Sequence, residues 1–246
     1  MTRHLILSPH LDDAALSLGG SIARWTAQGD RVTVLTVFGG SEQSTDAENA
    51  LLTKLLGLWG IDSYKSRRSE DSAAMDVLGA TPIHLDFPEL LQRNSIATSV
   101  DQLLSSVESP EDDARIVEQI ASAVADYVQA CDILYVPWVE ATHPDHVLVS
   151  KSAAFFKPTP TFGYEDIPYP RRNVRNVRNA SRSEFEPSHL ESKLRACSCY
   201  RSQIGVLFGS ETLMRQRLRT RASANEGGST LSEIIYRMEH SDQESL

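Results

Sequence analysis

Hydrophobic and polar positions alternate in blocks along the first two thirds of the chain, and these blocks have the lengths of strands and helices. Short apolar runs rich in β-branched residues predict strands at His4–Ser8, Val32–Phe38, Pro82–Leu85 and Ile133–Pro137. Longer amphipathic blocks predict helices over Asp13–Gln28, Glu70–Leu78, Asp113–Ala130 and His146–Phe156. This alternation of strands with helices predicts an α/β fold with a mainly parallel sheet flanked by helices.

The last third of the chain has a different character. A segment rich in proline and aromatic residues, "KPTPTFGYEDIPYPRR", is followed by the basic stretch Arg171–Arg182. Ser188–Glu191 has the pattern of a capping box, which predicts one helix through "LESKLRACSCYRSQIGVLF". We predict a single domain over residues 1–246, in which residues 157–246 form a C-terminal sub-region bordering the site. Within it, Lys157–Arg182 is expected to lie at the mouth of the site.

Composition and charge exclude several classes of partner. The chain has 246 residues, 41% of them hydrophobic, and a formal net charge of −9, whereas nucleic-acid binding requires a basic surface. No apolar run has the length of a membrane span, so no membrane association is expected. The N-terminus leads directly into a predicted strand without a signal-type segment, which favours a cytoplasmic location. Three cysteines are too few for a disulfide framework. The sequence gives no indication of oligomeric state.

Two predicted strands end in polar turns of similar construction. The strand His4–Ser8 leads into "PHLDD", and the strand Ile133–Pro137 leads into "WVEATHPDH". A helix is predicted after each turn. Because parallel strands place their carboxyl ends at one edge of the sheet, where open α/β sheets bind ligands, the two turns are expected to meet in space. Two longer polar stretches, Ser41–Asp46 and Asn94–Asp112, have the length of loops that often line such a site.

The residue types in the two turns indicate a metal site. His10, Asp13 and His146 would supply two imidazoles and one carboxylate and leave a position for water, which is the pattern of catalytic zinc sites. Adjacent carboxylates point in different directions, so the second acid of the pair would lie beside the ion as a general base. His143, as an imidazolium, could stabilise an oxyanion or protonate a leaving amine, and Asp145 could orient it and keep it charged.

The paired turns resemble the motifs of the LmbE-like, or PIG-L, family of metal-dependent N-deacetylases. "SPHLDD" stands where that family has PHPDD or AHPDD, with Leu11 in place of the usual proline, and "HPDH" matches the second motif without change. Further likeness in "RRSEDSAAMDVLG", "HLDFPE", "YEDIPYP" and "KLRACSCYRSQ" extends the resemblance over almost the whole chain. It implies a Rossmann-like fold and hydrolysis of an N-acyl group, most often N-acetyl, from an amino sugar or a related small-molecule amine.

The resemblance also implies a role for each matching residue. The ion, Zn²⁺ or another divalent metal, would be held by His10, Asp13 and His146. Catalysis would use Asp12 as the general base and His143 at the tetrahedral oxyanion, with Asp145 behind it. Two further positions, Arg67 and Glu89, fall where the family often contacts substrate.

Other interpretations remain open at this point. Asp at a helix start is an ordinary N-cap, so the turn at Asp12 and Asp13 could be structural. Two histidines and a carboxylate also form the site of non-haem iron oxygenases, although such a site leaves the second acid without a task. A metal-dependent amidase or esterase could act on a non-sugar substrate such as a secondary metabolite, and a non-catalytic protein could keep the site for binding only. "LSLGG" in the first helix is not a dinucleotide-binding turn, so no nucleotide cofactor is implied.

Overall fold

A seven-stranded sheet forms the centre of the protein. The computed structural model describes residues 1–40, 64–93, 110–138, 143–169, 180–223 and 230–238. The strands are β1 (Arg3–Ser8), β2 (Arg31–Thr36), β3 (Thr81–His84), β4 (Ile133–Pro137), β5 (Thr161–Tyr164), β6 (Ala180–Phe185) and β7 (Leu231–Arg237). Their order across the sheet is β3-β2-β1-β4-β5-β7-β6. The first five are parallel, and β7 runs antiparallel to both of its neighbours.

Helices lie on both faces of this sheet, which confirms the predicted fold class. They are α1 (Asp13–Ala27), α2 (Tyr64–Leu78), α3 (Leu90–Arg93), α4 (Pro110–Gln129), α5 (Pro144–Ser152), α6 (Pro187–Cys197), α7 (Arg201–Phe208) and α8 (Glu211–Ser223). A 3₁₀ turn, Ala153–Phe155, follows α5. Within the described ranges, no helix is both long and apolar enough to cross a bilayer.

The alternation of side chains along β1 divides the core in two. Ile6 packs into the larger apolar cluster with α1, α2 and the C-terminal helices. Leu5 and Leu7 point to the opposite face and pack with α4 and α5. Successive residues of a strand face opposite sides, so a central strand buried on both faces is apolar throughout. This explains why residues 5–7, which alternate between the two faces, are all hydrophobic.

The structure contains two helices that were not predicted, α3 and α8, and two predicted helices have different bounds or caps. Helix α2 begins at Tyr64, six residues before the predicted start at Glu70. The segment predicted as one helix after Ser188 forms two, α6 and α7, and the cap of α6 is formed by Glu186 and His189 instead of Ser188 and Glu191. The helix starts earlier because Pro187 suits the first helical position, where its missing N–H is not needed.

The C-terminal sub-region belongs to the same sheet as the first two thirds of the chain. Strand β5 pairs in parallel with β4, and β7 then pairs with β5 through Phe162, Gly163 and Tyr164. The predicted loop Ser41–Asp46, residues 94–109 of the second polar stretch and residues 171–179 of the basic stretch lie outside the described residues.

Candidate active site

The two polar turns meet where the order of the strands changes direction. Strand β1 lies between β2 and β4, so the chain leaves β1 toward one side of the sheet and later returns on the other. Such a switch point opens a crevice at the carboxyl ends of the two central strands, which is where open α/β sheets bind ligands. The turn after β1 carries His10 to Asp13, and the turn after β4 ends in His143 to His146.

Three donor atoms from these turns form a nearly equilateral triangle. His10 Nδ1 lies 3.5 Å from Asp13 Oδ2, and His146 Nε2 lies 3.2 Å from His10 Nδ1 and 3.4 Å from Asp13 Oδ2. Ligand atoms about 2.0–2.2 Å from a tetrahedral ion lie about 3.3–3.6 Å from one another. The spacing and chemistry of His10, Asp13 and His146 therefore fit three ligands of one divalent ion.

Each imidazole of the triangle is held from behind by a carboxylate. Asp145 Oδ2 contacts His10 Nε2 at 2.9 Å, which leaves Nδ1 of that ring facing the triangle. Asp166 Oδ2 contacts His146 Nδ1 in a very short hydrogen bond, which leaves Nε2 facing the triangle. Burial disfavours the charged form of both imidazoles. The pKa of His10 is nevertheless raised by Asp13 and Asp145, and that of His146 by Asp166 and Asp13.

The turn is fixed through the backbone of His10. Asp13 Oδ2, the same oxygen that faces the two imidazoles, accepts the His10 N–H at 2.8 Å. Ser8 Oγ donates to the carbonyl of His10 at 2.8 Å and accepts the N–H of Ala14 at 3.2 Å. The end of β1 and the first turn of α1 are therefore tied together around the donor triangle.

Asp12 occupies a strained position and its side chain does not cap the helix. It has φ 146° and ψ −30°, a conformation that non-glycine residues rarely adopt and that is found mainly at functional sites. It is the N-cap residue of α1, yet its carboxylate makes no capping hydrogen bond. Burial, and then the neighbouring Asp13, raise the pKa of Asp12 to about 8. A carboxyl group with a pKa near neutrality is suited to accepting a proton from water.

His143 differs in charge state from the prediction. Its Nδ1 accepts the backbone N–H of Asp145 at 3.3 Å, so the proton of the ring is on Nε2. Burial, and then the neighbouring His10, lower the pKa of His143 to about 3. This environment favours a neutral imidazole with an Nε2–H donor, whereas an imidazolium is expected from the sequence. Its ring centroid lies 4.9 Å from that of His10 and 5.1 Å from that of His146.

Asp145 also has partners other than the predicted one. Its carboxylate contacts His10 and accepts the N–H of Leu90 at 3.1 Å, and its other oxygen lies 2.8 Å from Arg93. Among the described contacts, it acts on His143 through its backbone N–H and its charge. Asp145 is the second residue of α5, and from the first turn of this helix its side chain reaches across to the turn after β1.

Two residues of the site were missed by sequence reasoning. Arg93 immediately precedes the polar stretch Asn94–Asp112, in a context without a distinctive pattern. Its guanidinium also lies over the ring of Phe38, 5.0 Å from the ring centroid. Asp166 lies in "YEDIPYP", a segment that resembles the family but that gave no reason to single out this acid. In the same segment, Tyr169 packs edge-on against His146 with ring centroids 5.3 Å apart. The described part of Lys157–Arg182 thus reaches the donor triangle.

Arg67 and Glu89 form a buried ion pair beside the site. Arg67 Nη1 lies 2.7 Å from Glu89 Oε1, and the two residues are only 5% and 7% exposed. Burial opposes the charge of Arg67, but Glu89 and then Asp12 raise its pKa. The Nε–H of Arg67 is buried without a hydrogen-bond partner. The pair is near enough to act electrostatically on Asp12 and His10, while its members contact each other directly.

The other described histidines contact residues outside the donor triangle. His4 stacks on Trp25 with centroids 4.4 Å apart. His84 contacts Asp71 at 2.7 Å through Nε2, and that carboxylate also accepts the hydroxyl of Tyr200 at 2.7 Å. His189 caps α6. His240 lies outside the described residues.

Comparisons of the sequence with known families and proteins both find deacetylases. The family model for PIG-L, described as GlcNAc-PI de-N-acetylase, matches residues 5–155, which is more than half of the chain. A 2'-N-acetylparomamine deacetylase of Niallia circulans is 26% identical over 233 residues, covering 84% of this chain and 82% of that protein.

Solved structures agree with this result. A zinc-inhibited form of teicoplanin deacetylase matches with a TM-score of 0.82 and 27% identity, covering 97% of this chain and 99% of that one. The deacetylase of the A40926 pseudoaglycone matches with a TM-score of 0.74 and 26% identity, covering 96% of each chain. The predicted enzyme class, an N-deacetylase hydrolysing amide bonds, is confirmed by these relatives together with the family match. This chain belongs to the PIG-L family.

Proposed function

We propose that this protein is a zinc-dependent hydrolase that removes the N-acetyl group from an amino sugar carried by a small natural product. The observation that carries the proposal is the donor triangle of His10, Asp13 and His146 with the buried acid Asp12 beside it. Two imidazoles and a carboxylate suit zinc, and a free acid next to the ion is what hydrolysis of an amide needs. The relatives that act on N-acetylparomamine and teicoplanin support an amino-sugar substrate.

The ion, when bound, would supply Lewis-acid chemistry by polarising the acyl carbonyl and a water molecule. Asp12 would accept a proton from the attacking water and return it to the nitrogen of the leaving amine. The raised pKa of Asp12 suits this role, because burial and Asp13 disfavour the carboxylate and so favour uptake of the proton. The strained backbone at Asp12 turns its side chain away from the helix cap and leaves it available for this task.

His143 would stabilise the developing oxyanion as a neutral hydrogen-bond donor. With Nδ1 occupied by the N–H of Asp145, only Nε2–H is available to donate to the tetrahedral intermediate. A neutral ring also avoids placing another positive charge beside His10 and His146, whose electrostatic effect already lowers the pKa of His143.

Arg67 and Glu89 would bind polar groups of the substrate. The pair offers donors from the guanidinium and acceptors from the carboxylate, and its charges compensate each other across 2.7 Å. Such a pair suits the hydroxyl groups of a sugar better than a strongly anionic group, which would have to compete with Glu89. The acidic net charge of −9 points the same way.

The test is product detection on a panel of N-acetylated amino-sugar glycosides, with N-acyl amines that lack a sugar and acyl esters as comparison substrates. We expect release of acetate and a free amine from sugar substrates, loss of turnover after chelation, and recovery with Zn²⁺. Turnover that is unchanged without oxygen separates hydrolysis from oxygenase chemistry. Faster turnover of the non-sugar substrates than of every glycoside would contradict the substrate class while leaving hydrolysis intact.

A further inference from the structure

Among the described residues, the buried carboxylate of Asp166 has one hydrogen-bond partner, His146. Asp166 is 6% exposed, and its Oδ2 contacts Nδ1 of His146. Its other oxygen, Oδ1, is buried without a hydrogen-bond partner. The Oδ1 atom of Asp145, on the other imidazole, also lacks a hydrogen bond, but it lies 2.8 Å from the cationic Arg93. Asp145 Oδ2 additionally accepts the N–H of Leu90. Leaving a buried carboxylate oxygen unpaired costs free energy, so a purely structural reason for an acid at residue 166 is weak.

The backbone around Asp166 is held by contacts that do not involve its side chain. Tyr164 Oη donates to the carbonyl of Leu7 at 3.0 Å, and the N–H of Ile167 donates to Ser17 Oγ at 3.1 Å. The segment that follows β5 is therefore anchored to β1 and α1 on both sides of residue 166. The carboxylate is not needed to place this segment.

Asp166 is also not placed as a ligand within the donor triangle. It contacts Nδ1 of His146, whereas the triangle uses Nε2, which lies on the opposite side of the same ring. A carboxylate at Nδ1 keeps the proton on that nitrogen and leaves the lone pair on Nε2. It also makes the lone pair of Nε2 more basic and so a better metal ligand. Carboxylates are common in this position behind metal-bound histidines.

We propose that Asp166 is a positioning residue that holds His146 in the tautomer and orientation needed to bind the metal ion. This inference rests on the proposed function, because it assumes that His146 is a ligand. A bound metal ion would also explain why the charge of Asp166 is tolerated with so few partners. A cation on Nε2 polarises the His146 ring and strengthens the hydrogen bond that Nδ1–H donates to Asp166.

The experiment measures zinc affinity by competition with a chromophoric chelator, using the full chain stripped of metal. Asp166→Asn retains an acceptor without the charge, and Asp166→Ala removes both. Loss of such an outer carboxylate typically weakens metal binding by about 10-fold to 100-fold, so we expect that loss for the alanine variant and a smaller one for asparagine. Ser17→Ala is the matched control, because it removes an anchor of the same segment without touching the imidazole, and it should bind zinc as the wild type does.

A second readout separates positioning from folding. In zinc-loaded wild-type protein labelled with ¹⁵N-histidine, His146 should show its proton on Nδ1, and this signal should be lost or exchange faster in Asp166→Ala. Tight zinc binding by the wild type with unchanged affinity in both Asp166 variants would overturn this inference alone. Equal loss in Ser17→Ala would overturn it too, because the position of the segment would then matter instead of the carboxylate. Failure of the wild type itself to bind zinc would remove the proposed function as well.

Discussion

Asp12→Asn should make the protein more stable and catalytically defective at the same time. Asparagine has nearly the same size and shape as aspartate, so the substitution adds no new strain at φ 146°. It removes a carboxyl group that burial and Asp13 disfavour in its charged form. The metal ligands are unchanged, and metal content should stay that of the wild type.

The size of the stability effect follows from the pKa. The pKa of the Asp12 carboxyl group is raised from 3.8 to about 8. Above about pH 4 this group destabilises the folded state, because folding must either bury its charge or take up a proton. One pKa unit corresponds to about 1.4 kcal/mol, so the metal-free variant should gain on the order of 4 kcal/mol at neutral pH. Because the folded-state pKa is the higher one, the penalty develops as pH rises from 3.8 toward 8. The gain should therefore vanish below about pH 4.

The size of the catalytic effect follows from the proposed role. A positioned general base contributes about 10²–10⁴ in rate, equivalent to about 3–5 kcal/mol of activation free energy. The assay combines elemental analysis, turnover on the best N-acetyl substrate, and denaturant unfolding in chelator at acid and neutral pH. Asp13→Asn is the control in the same turn and should lose metal. Normal turnover in Asp12→Asn would refute the role of Asp12, and loss of metal from Asp12→Asn but not from Asp13→Asn would show that the two acids are reversed.

Three further outcomes are expected. His143→Ala should retain zinc and lose about 10²–10³ in kcat, whereas His143→Gln, which keeps an N–H donor, should recover part of it; equal loss in both variants would argue against a neutral donor. Protonated His10 and His146 stabilise the metal-free protein below pH 6.5, because the pKa of each ring is raised in the folded state, and this contribution is lost as pH rises through the folded-state pKa values. Zn²⁺ should therefore raise Tm more at about pH 8 than at about pH 6, and an equal shift would contradict this. Lys193→Met should lower unfolding free energy by about 3–5 kcal/mol because it leaves Glu233 buried without its cation, with Glu233→Gln in the same chain restoring much of the loss.

The fold was predictable because the parallel strands are buried on both faces. Their sequences are continuous apolar runs, so β1 and β4 could be located to within a residue. The strands of the C-terminal sub-region were not predicted. In β6, "ASRSEF", only two of six side chains are buried, so the hydrophobic pattern that marks a strand is nearly absent. Its pairing with β7, which comes 46 residues after the end of β6, is set by tertiary contacts.

That His10, Asp13 and His146 lie close together was predictable for a different reason. His10, Asp13 and His146 stand in turns whose place at the ends of parallel strands follows from the chain order alone. The residues that contact the far side of the two imidazoles cannot be derived from the chain order. Asp166 and Arg93 reach the site through the packing of β5 and α3, and no local pattern distinguishes a buried acid or arginine from an exposed one. Nor could the sequence show that Asp145 turns toward His10, since this depends on how α5 faces the turn after β1.

The two glycines of "LSLGG" connect the stability of the C-terminal sub-region to the geometry of the site. A Cβ on Gly19 would lie 2.8 Å from Lys193 Cγ, and one on Gly20 would lie 2.5 Å from the ring of Phe185. Glycine at both positions lets α6 and β6 pack directly against α1. Glu233 of β7 then accepts the N–H groups of Gly20 and Ser21, both at 2.9 Å, and pairs with Lys193. Helix α1 is thus fixed at its middle by the C-terminal sub-region. Since the same helix begins at Asp13, a rigid α1 also fixes the carboxylate of the donor triangle relative to His146, which enters from the other turn.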